Sequence, residues 1–271
     1  MLYLICSNFY LLFLERPDIA NNSYLLSSKA NNNLRGTLPA ELFSLESLLK
    51  LNLSRNLIYG QIPIQISYLT KLRTFHLSRN ELTGFIPSEF GSLPDIHRIH
   101  IANNFLQGTI PNEMFSSNLK FLDLGGNDLI GSIPDQIYDS RILQHIDISS
   151  NALTGTISAS FGTELKKLTT LLLGDNYFTG TLPEDLFSNK EKDGFKYLNF
   201  GLNLLKGKIP QSLFNETNVI YFDVGANELT GTLSSSFGKL IELEQLVLWS
   251  NQFTGTVPSE MSNMLQLGMS I

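Results

Sequence analysis

The feature that most constrains this chain is a sixteen-residue pattern that recurs about every 24 residues. The pattern reads LLKLNLSRNLIYGQIP from Leu48 and LRTFHLSRNELTGFIP from Leu72. Its asparagine returns at intervals of 23 to 27 residues, at Asn32, Asn56, Asn80, Asn104, Asn127, Asn151, Asn176, Asn203, Asn227 and Asn251. Such a period predicts a solenoid, in which each coil buries its apolar side only by stacking on its neighbours.

Most fixed positions of the pattern are assigned to the scaffold. The leucine-like residues of one coil are predicted to point inward, at Leu48, Leu51, Leu53, Ile58 and Ile62. We expect backbone groups of the same and the adjacent coil to bond the asparagine amide, because buried polar groups are normally hydrogen-bonded. The glycine four residues later is typical of a turn with positive φ, and the following proline leads into a short turn, often helical.

A phenylalanine recurs in the turn that follows the proline. These rings are predicted to stack as an outer spine, because most regularly spaced aromatic rows are core, and a ligand-stacking row is the alternative. The rings stand at Phe43, Phe90, Phe115, Phe161, Phe187, Phe214 and Phe237.

The L-x-G-x-I-P half of the pattern resembles the plant-specific class of leucine-rich repeats, which occurs in the ectodomains of receptor-like kinases, in receptor-like proteins and in polygalacturonase inhibitors. The resemblance covers roughly residues 24–267. It implies an α/β repeat solenoid, a right-handed arc with a parallel concave β-sheet, short second strands and convex helical or 3-10 turns. Residues 21–271 are predicted to form this domain, with about ten repeats of ~24 residues and an incomplete C-terminal repeat.

The two ends of the chain depart from the family pattern. Residues 1–20 form an apolar leader, which is either a signal peptide or the remnant of an upstream domain. The paired cysteines of the family's N-terminal cap are absent, and the chain stops at Ile271 within a coil. Because solenoids need capped ends, the sequence resembles a fragment of a longer receptor. No apolar run reaches the roughly 18 residues of a membrane-spanning helix, so we expect membrane attachment only through a segment outside this chain.

Composition and spacing argue against several other functions. A net charge of −6 and a pI near 5.2 leave no basic surface for nucleic acid. Cys6 is the only cysteine, so no intrachain disulfide or cysteine-based metal site can form. No kinase motif and no base-oriented nucleophile can be assembled from the spacing, so neither enzymatic activity nor a cofactor is expected.

The residues that flank the middle leucine-like position of each strand are predicted to lie on the concave face, because side chains alternate along a strand. Trp249 stands two residues further along the pattern. We predict that the ligand contacts on this face include Arg98, His100, Asp123, His145, Asp147, Tyr197, Tyr221 and Trp249. Within this set we favour the aromatic group Tyr197, Tyr221 and Trp249 as the contact patch, with packing of Trp249 against a further coil as the alternative.

The charged residues of this face have two interpretations. Basic side chains stand towards the N-terminal end (Lys50, Arg55, Arg79, Arg98), and acidic ones stand beyond them (Asp123, Asp147, Asp175, Asp223). An extended peptide of complementary polarity would fit, or the charges only solvate the sheet. The histidines and aspartates on successive strands favour a solvated polar ladder or pH-dependent binding over a metal site, because ligands on a flat ladder rarely converge on one ion.

Three Asn-x-Ser/Thr triplets begin at Asn21, Asn52 and Asn215, and they would be glycosylated only on a secreted chain. Asn21 and Asn215 are the predicted acceptors, and Asn215 is the better one because it lies in a convex loop. The insertion SNKEKDGF, from Ser188 to Phe195, is predicted to be a solvated loop.

The leading functional hypothesis is an extracellular or cell-surface recognition module, the ligand-binding part of a receptor-like protein or kinase in signalling. Its expected partners are a protein, peptide or glycan ligand on the concave face and a co-receptor. The alternatives are a free-standing secreted inhibitor or adhesion protein and a cytoplasmic scaffold.

Overall fold

The computed structural model describes residues 32–115, 118–188 and 194–268 in full and the backbone of the strands at 3–4, 12–18, 23–27 and 268–270. Cys6, Asn21 and residues 189–193 of the insertion lie outside the described residues. The chain divides into two compact units, Met1–Ser140 (unit 1) and Arg141–Ile271 (unit 2). They are described separately.

Unit 1 contains short strands and 3-10 helices in regular alternation. Its strands are β1 (Tyr3–Leu4), β2 (Leu12–Asp18), β3 (Ser23–Ser27), β4 (Arg35–Gly36), β5 (Leu48–Asn52), β6 (Leu57–Gly60), β7 (Thr74–His76), β8 (Glu81–Phe85), β9 (Arg98–His100), β10 (Phe105–Gly108), β11 (Phe121–Asp123) and β12 (Asp128–Gly131). Its 3-10 helices are η1 (Ala40–Ser44), η2 (Ile64–Tyr68), η3 (Ser88–Ser92), η4 (Asn112–Met114) and η5 (Asp135–Asp139).

Two sheets run through unit 1. The first has the order β1-β2-β3-β5-β7-β9-β11, and the second has the order β12-β10-β8-β6-β4. The repeat strands pair in parallel and in register, so that His76 lies opposite His100. Only β1, β2 and β3 pair antiparallel, which extends the first sheet into the segment that the sequence predicts as a leader.

Unit 2 repeats the arrangement. Its strands are β13 (His145–Asp147), β14 (Ala152–Thr156), β15 (Thr170–Leu172), β16 (Tyr177–Thr181), β17 (Tyr197–Asn199), β18 (Leu204–Gly207), β19 (Tyr221–Asp223), β20 (Glu228–Thr232), β21 (Gln245–Val247), β22 (Gln252–Thr254) and β23 (Gly268–Ser270). Its helices are α1 (Ser160–Thr163) and the 3-10 helices η6 (Glu184–Phe187), η7 (Gln211–Asn215), η8 (Ser235–Lys239) and η9 (Ser259–Asn263). The first sheet has the order β13-β15-β17-β19-β21-β23, and the second has the order β14-β16-β18-β20-β22.

The core is the set of apolar ladders that the pattern predicts. Leu48, Leu51, Leu53 and Ile58 are completely buried, and Ile62 is nearly so. Each ladder is continued at equivalent positions of the next coil, so apolar burial along the stack supplies the main stabilisation. The predicted repeat fold, with two sets of parallel strands and short helical turns, is confirmed.

The pattern asparagines tie each coil to its neighbours. Asn104 donates from Nδ2 to the carbonyls of Ile101 in its own coil (3.0 Å) and Leu77 in the preceding coil (3.1 Å). Its Oδ1 accepts from the N–H of Leu82 at 3.0 Å. The amide is therefore satisfied by backbone of both coils, as predicted.

The helical turns begin where the pattern proline predicts. Pro63 and Pro87, for example, immediately precede η2 and η3. The recurring phenylalanines are buried below these turns, except that Met114 takes the core position in η4 and Phe115 is half-buried. Among the described residues no helix is long and apolar enough to cross a bilayer.

Candidate ligand-binding face

The side of each unit's first sheet that points away from the apolar ladders is called the strand face. In β7 and β9 the central residues Phe75 and Ile99 are completely buried, whereas the residues on either side of them reach solvent. Because paired strands are in register, equivalent face residues form rows across each unit. Seven of the eight predicted contact residues occupy these flanking positions, and Trp249 lies two residues after the end of β21.

A stacked histidine pair lies at the centre of the unit 1 face. The rings of His76 and His100 have centroids 4.1 Å apart and an angle of 10° between their planes. His76 Nε2 lies 2.7 Å from Ser78 Oγ, and His100 Nε2 lies 2.7 Å from Asp123 Oδ2. Burial, followed by the repulsion of His100 and Lys50, lowers the pKa of His76 to about 4, so His76 is neutral at pH 7.

Arg98 and Phe121 lie beside the histidine pair. The guanidinium carbon of Arg98 lies 5.4 Å from the ring centroid of Phe121, within cation–π range. Phe121 is also in tilted contact with His100, with ring centroids 5.7 Å apart. The structure therefore brings the predicted residues Arg98, His100 and Asp123 together in one cluster.

This cluster does not form a catalytic triad. In a triad one imidazole bridges the nucleophile and the acid, whereas here Ser78 bonds His76 and Asp123 bonds His100. Ser78 is also buried and so cannot meet a substrate. Among the described residues no three or more His, Cys, Asp or Glu side chains are grouped so that they could hold a metal ion.

Several acidic and amide residues of the face bond their own backbone. Oδ1 of Asp123, Asp147 and Asp223 accepts from the N–H two residues later, at 3.1, 3.0 and 2.8 Å respectively. Asn199 makes the same contact with Gly201. Asp123 is buried, so most of its surface is used within the fold. The signal was present in the sequence, because Asp or Asn two residues before Ser or Gly is typical of such Asx turns.

The aromatic residues of unit 2 lie on three consecutive strands or directly after them. Tyr197 and Tyr221 are paired on β17 and β19. Tyr197 is 43% exposed and Trp249 is 44% exposed, whereas Tyr221 is half-buried. His145 and Asp147 belong to β13, at the other side of the same unit.

The predicted modification and insertion sites have mixed outcomes. Asn215 is exposed at the end of η7, where a glycan could be attached. Asn52 is half-buried, and its Oδ1 accepts from both N–H and Oγ of Ser54. In the insertion, Gly194 and Phe195 are buried, and Phe195 contacts Phe187 with ring centroids 6.1 Å apart, so the prediction of a solvated loop is wrong for these two residues.

Comparison with known families identifies the repeats. The model of the Leucine Rich Repeat family matches residues 71–93, 118–139, 143–163, 167–189 and 242–264. The chain contains leucine-rich repeats. No curated protein sequence matches this chain.

Solved structures support the same assignment. A TDR receptor superposes with a TM-score of 0.82 at 31% identity, over 89% of this chain and 41% of the receptor chain. The plant peptide hormone receptor RGFR1, solved in complex with RGF2, gives 0.76 at 26% identity over 93% and 48%. A plant ice-binding protein gives 0.74 at 27% identity over 89% and 77%. The leucine-rich-repeat chain thus spans less than half the length of the two receptor chains.

Proposed function

We propose that this leucine-rich-repeat chain is the ligand-recognition part of a receptor-like protein at the cell surface, and that a peptide or protein ligand binds the strand face. The similarity to a plant peptide hormone receptor supports the function. The proposed role is recognition of the ligand and includes no chemical step.

Variation among the repeats is the observation that carries the proposal. At the buried central position of the strands the side chain stays apolar, as at Leu51, Phe75 and Ile99. On the strand face it changes from coil to coil, as the row from Thr74 through Arg98 to Phe121 shows. A surface whose side chains vary along the stack can read a ligand sequence, and its exposed aromatic and arginine residues are typical binding anchors.

A selection experiment tests this proposal. Peptides would be selected for binding from a random display library, with the purified chain as bait. Their affinities would then be measured for the wild type, Arg98→Ala, Trp249→Ala and the control Tyr177→Ala, which removes an exposed aromatic from the second sheet of unit 2. We expect at least one face variant to weaken most selected peptides roughly tenfold, about 1.4 kcal/mol, and the control to bind normally. Peptides that respond only to Tyr177→Ala would contradict the proposal.

A second candidate function, ice binding, is favoured by an ordered threonine array on the second sheet of unit 2. The exposed threonines form Thr-Gly-Thr triplets in four coils, at Thr154 and Thr156, Thr179 and Thr181, Thr230 and Thr232, and Thr254 and Thr256. Thr179 and Thr230 donate to glycine carbonyls of the preceding coil, each at 3.2 Å, which holds their rotamers. Strands ~4.8 Å apart thus display fixed hydroxyls and methyls at regular intervals.

Lys206 and Lys208 interrupt this array on β18, and they provide the test. Replacing both by threonine completes the array, so the double variant should slow ice recrystallisation more than the wild type does. Thr179→Lys combined with Thr230→Lys should remove the effect. If neither the wild type nor the completed array changes ice growth, ice binding is excluded.

A further inference from the structure

Trp249 forms a flat aromatic platform on the strand face of unit 2. A Cβ atom added to Gly225 would lie 2.9 Å from Nε1 and 3.1 Å from Cε2 of Trp249. The indole therefore packs against the backbone at Gly225, which is itself buried. The rest of the side chain stays open to solvent, with 44% of its surface exposed.

Asp223 is held by hydrogen bonds and contacts the same glycine, Gly225, on which Trp249 packs. Its Oδ1 accepts from the N–H of Gly225 at 2.8 Å, and its Oδ2 accepts from the hydroxyl of Tyr221 at 2.9 Å. Burial raises the pKa of the Tyr221 phenol, and the hydrogen bond to Asp223 raises it further, so the phenol remains a donor. Each carboxylate oxygen has a second lone pair with which it can accept from a ligand.

The described rows of the unit 2 face supply no lysine or arginine to this aromatic and acidic group. In unit 1 the equivalent rows contain Arg98, which covers the ring of Phe121. In unit 2, residues 145, 147, 149 and their equivalents in the next four coils include neither lysine nor arginine, whereas Asp147 and Asp223 are among them. Asp175, just beyond these rows, is exposed and adds a third carboxylate. A cationic ligand group is therefore complementary to this face.

We propose that the group formed by Trp249, Asp223 and Tyr197 binds an arginine side chain of an extended peptide. The guanidinium stacks on the indole of Trp249 and donates to the carboxylate of Asp223, a combination that its planar fork permits and a lysine ammonium does not. Tyr197, paired with Tyr221 on the neighbouring strand, provides a second exposed ring for the peptide. The inference rests on the proposed function and names the ligand class at the same face.

Trp249 is the only tryptophan of the chain, so its fluorescence reports directly on this site. The purified chain would be titrated with acetyl-Gly-Arg-Gly-Arg-Gly-amide and with its citrulline analogue, which keeps the shape but lacks the charge. We expect the arginine peptide to cause a saturable change of emission, and its binding to weaken as the salt concentration rises. The citrulline peptide should bind at least roughly tenfold more weakly. Asp223→Asn keeps an oxygen that accepts from the N–H of Gly225 and places an amide NH2 opposite the Tyr221 hydroxyl, which can accept from it, so the variant removes the charge and should weaken arginine binding to a similar extent. Tyr177→Ala should leave it unchanged.

The outcomes separate this inference from the proposed function. The cation site would be overturned if the citrulline peptide bound as tightly as the arginine peptide. It would also be overturned if an acidic peptide, with glutamate in place of arginine, bound as tightly as the arginine peptide. No emission change with any of these peptides would also overturn it. The proposed function would nevertheless stand if peptides selected from the display library still depended on strand-face residues. Thermal unfolding of each variant verifies that the repeat stack is intact.

Discussion

His76 and His100 are stacked face to face on paired strands, with ring centroids 4.1 Å apart, and only His100 has a carboxylate partner. His76 instead faces Ser78, with Lys50 and His100 as the main sources of repulsion. Burial and the repulsion from His100 and Lys50 make protonation of His76 costly, so His76 remains neutral at pH 7.

This asymmetry predicts acid sensitivity of unit 1. The folded pKa of His76 is about 4, below the unfolded value of 6.5, so the contribution to stability is present above pH 6.5 and is lost as pH falls towards 4. His76→Gln should remove that loss. Between pH 7 and pH 5 we expect the free energy of unfolding of the wild type to fall by up to about 1 kcal/mol more than that of the variant. Solvent screening keeps the effect this small. Chemical denaturation at both pH values measures the free energy of unfolding. His145→Gln, outside the stack, is the control, and equal losses of stability for the two variants would contradict the prediction.

Glu216 predicts the opposite dependence in unit 2. It is buried, and its Oε2 accepts from the N–H of Phe195 at 3.1 Å. Burial raises its pKa from 4.5 to about 7, so the stabilising contribution is complete below pH 4.5 and is lost as pH rises through 7. Glu216→Gln keeps the acceptor without the charge, and at pH 8 it should raise the free energy of unfolding by roughly 1 to 3 kcal/mol. The exposed Glu242→Gln should leave the pH profile unchanged. If the stability of Glu216→Gln relative to the wild type is no greater at pH 8 than at pH 4, the assignment is refuted.

The asparagine ladder predicts a large loss for a small substitution. Asn104→Ala removes the bonds to Leu77, Ile101 and Leu82 and leaves these backbone groups buried without that partner. We expect the free energy of unfolding to fall by about 3 kcal/mol or more, because each orphaned buried group costs about 1–3 kcal/mol. Asn112→Ala, which changes an exposed asparagine of η4, should cost less than about 0.5 kcal/mol. Urea denaturation of both variants decides whether the ladder is structural.

The sequence predicted the scaffold well because its period encodes contacts that every coil repeats. The residues equivalent to Asn104 and Leu51 have the same roles in successive coils, so a single pattern specifies them. The strand face was harder, because the stack of His76 on His100 and the packing of Trp249 on Gly225 depend on rotamers and on the neighbouring coil. Periodicity places a residue on a face but does not determine its partner.

One backbone position departs from the local preference of its residue type. The residue before the pattern asparagine adopts a left-handed conformation, with φ of 55° at Asn103 and 53° at Leu202. Asparagine tolerates this region, whereas a leucine there is strained and, in this case, half exposed. Leu202→Asn should therefore stabilise unit 2 by about 0.5–1 kcal/mol, and Asn103→Leu should destabilise unit 1 by a similar amount. The reciprocal pair is checked by melting temperature, and a change of the same sign in both variants would rule out backbone strain as the cause.

A glycine follows the recurring phenylalanine in several helical turns, and the repeat pattern alone assigns no role to it. A Cβ at Gly162, in α1, would lie 1.8 Å from the carbonyl oxygen of Leu186, and one at Gly91 would lie 1.8 Å from that of Glu113. Successive turns therefore approach each other through backbone. The signal was the Phe-Gly pair itself, which occurs at three turns, beginning at Phe90, Phe161 and Phe237.

Gly162→Ala distinguishes this close approach from helix propensity. In an isolated helix the change would stabilise by about 1 kcal/mol, because alanine loses less backbone entropy than glycine. In the folded chain the added methyl would force the turn of α1 away from that of η6, so we expect a loss of about 2 kcal/mol or more. Ser160→Ala, in the same short helix, should change stability by less than about 0.5 kcal/mol. Guanidinium denaturation of the three proteins measures the difference, and a Gly162→Ala variant as stable as the wild type would show that the coils can separate without loss of packing.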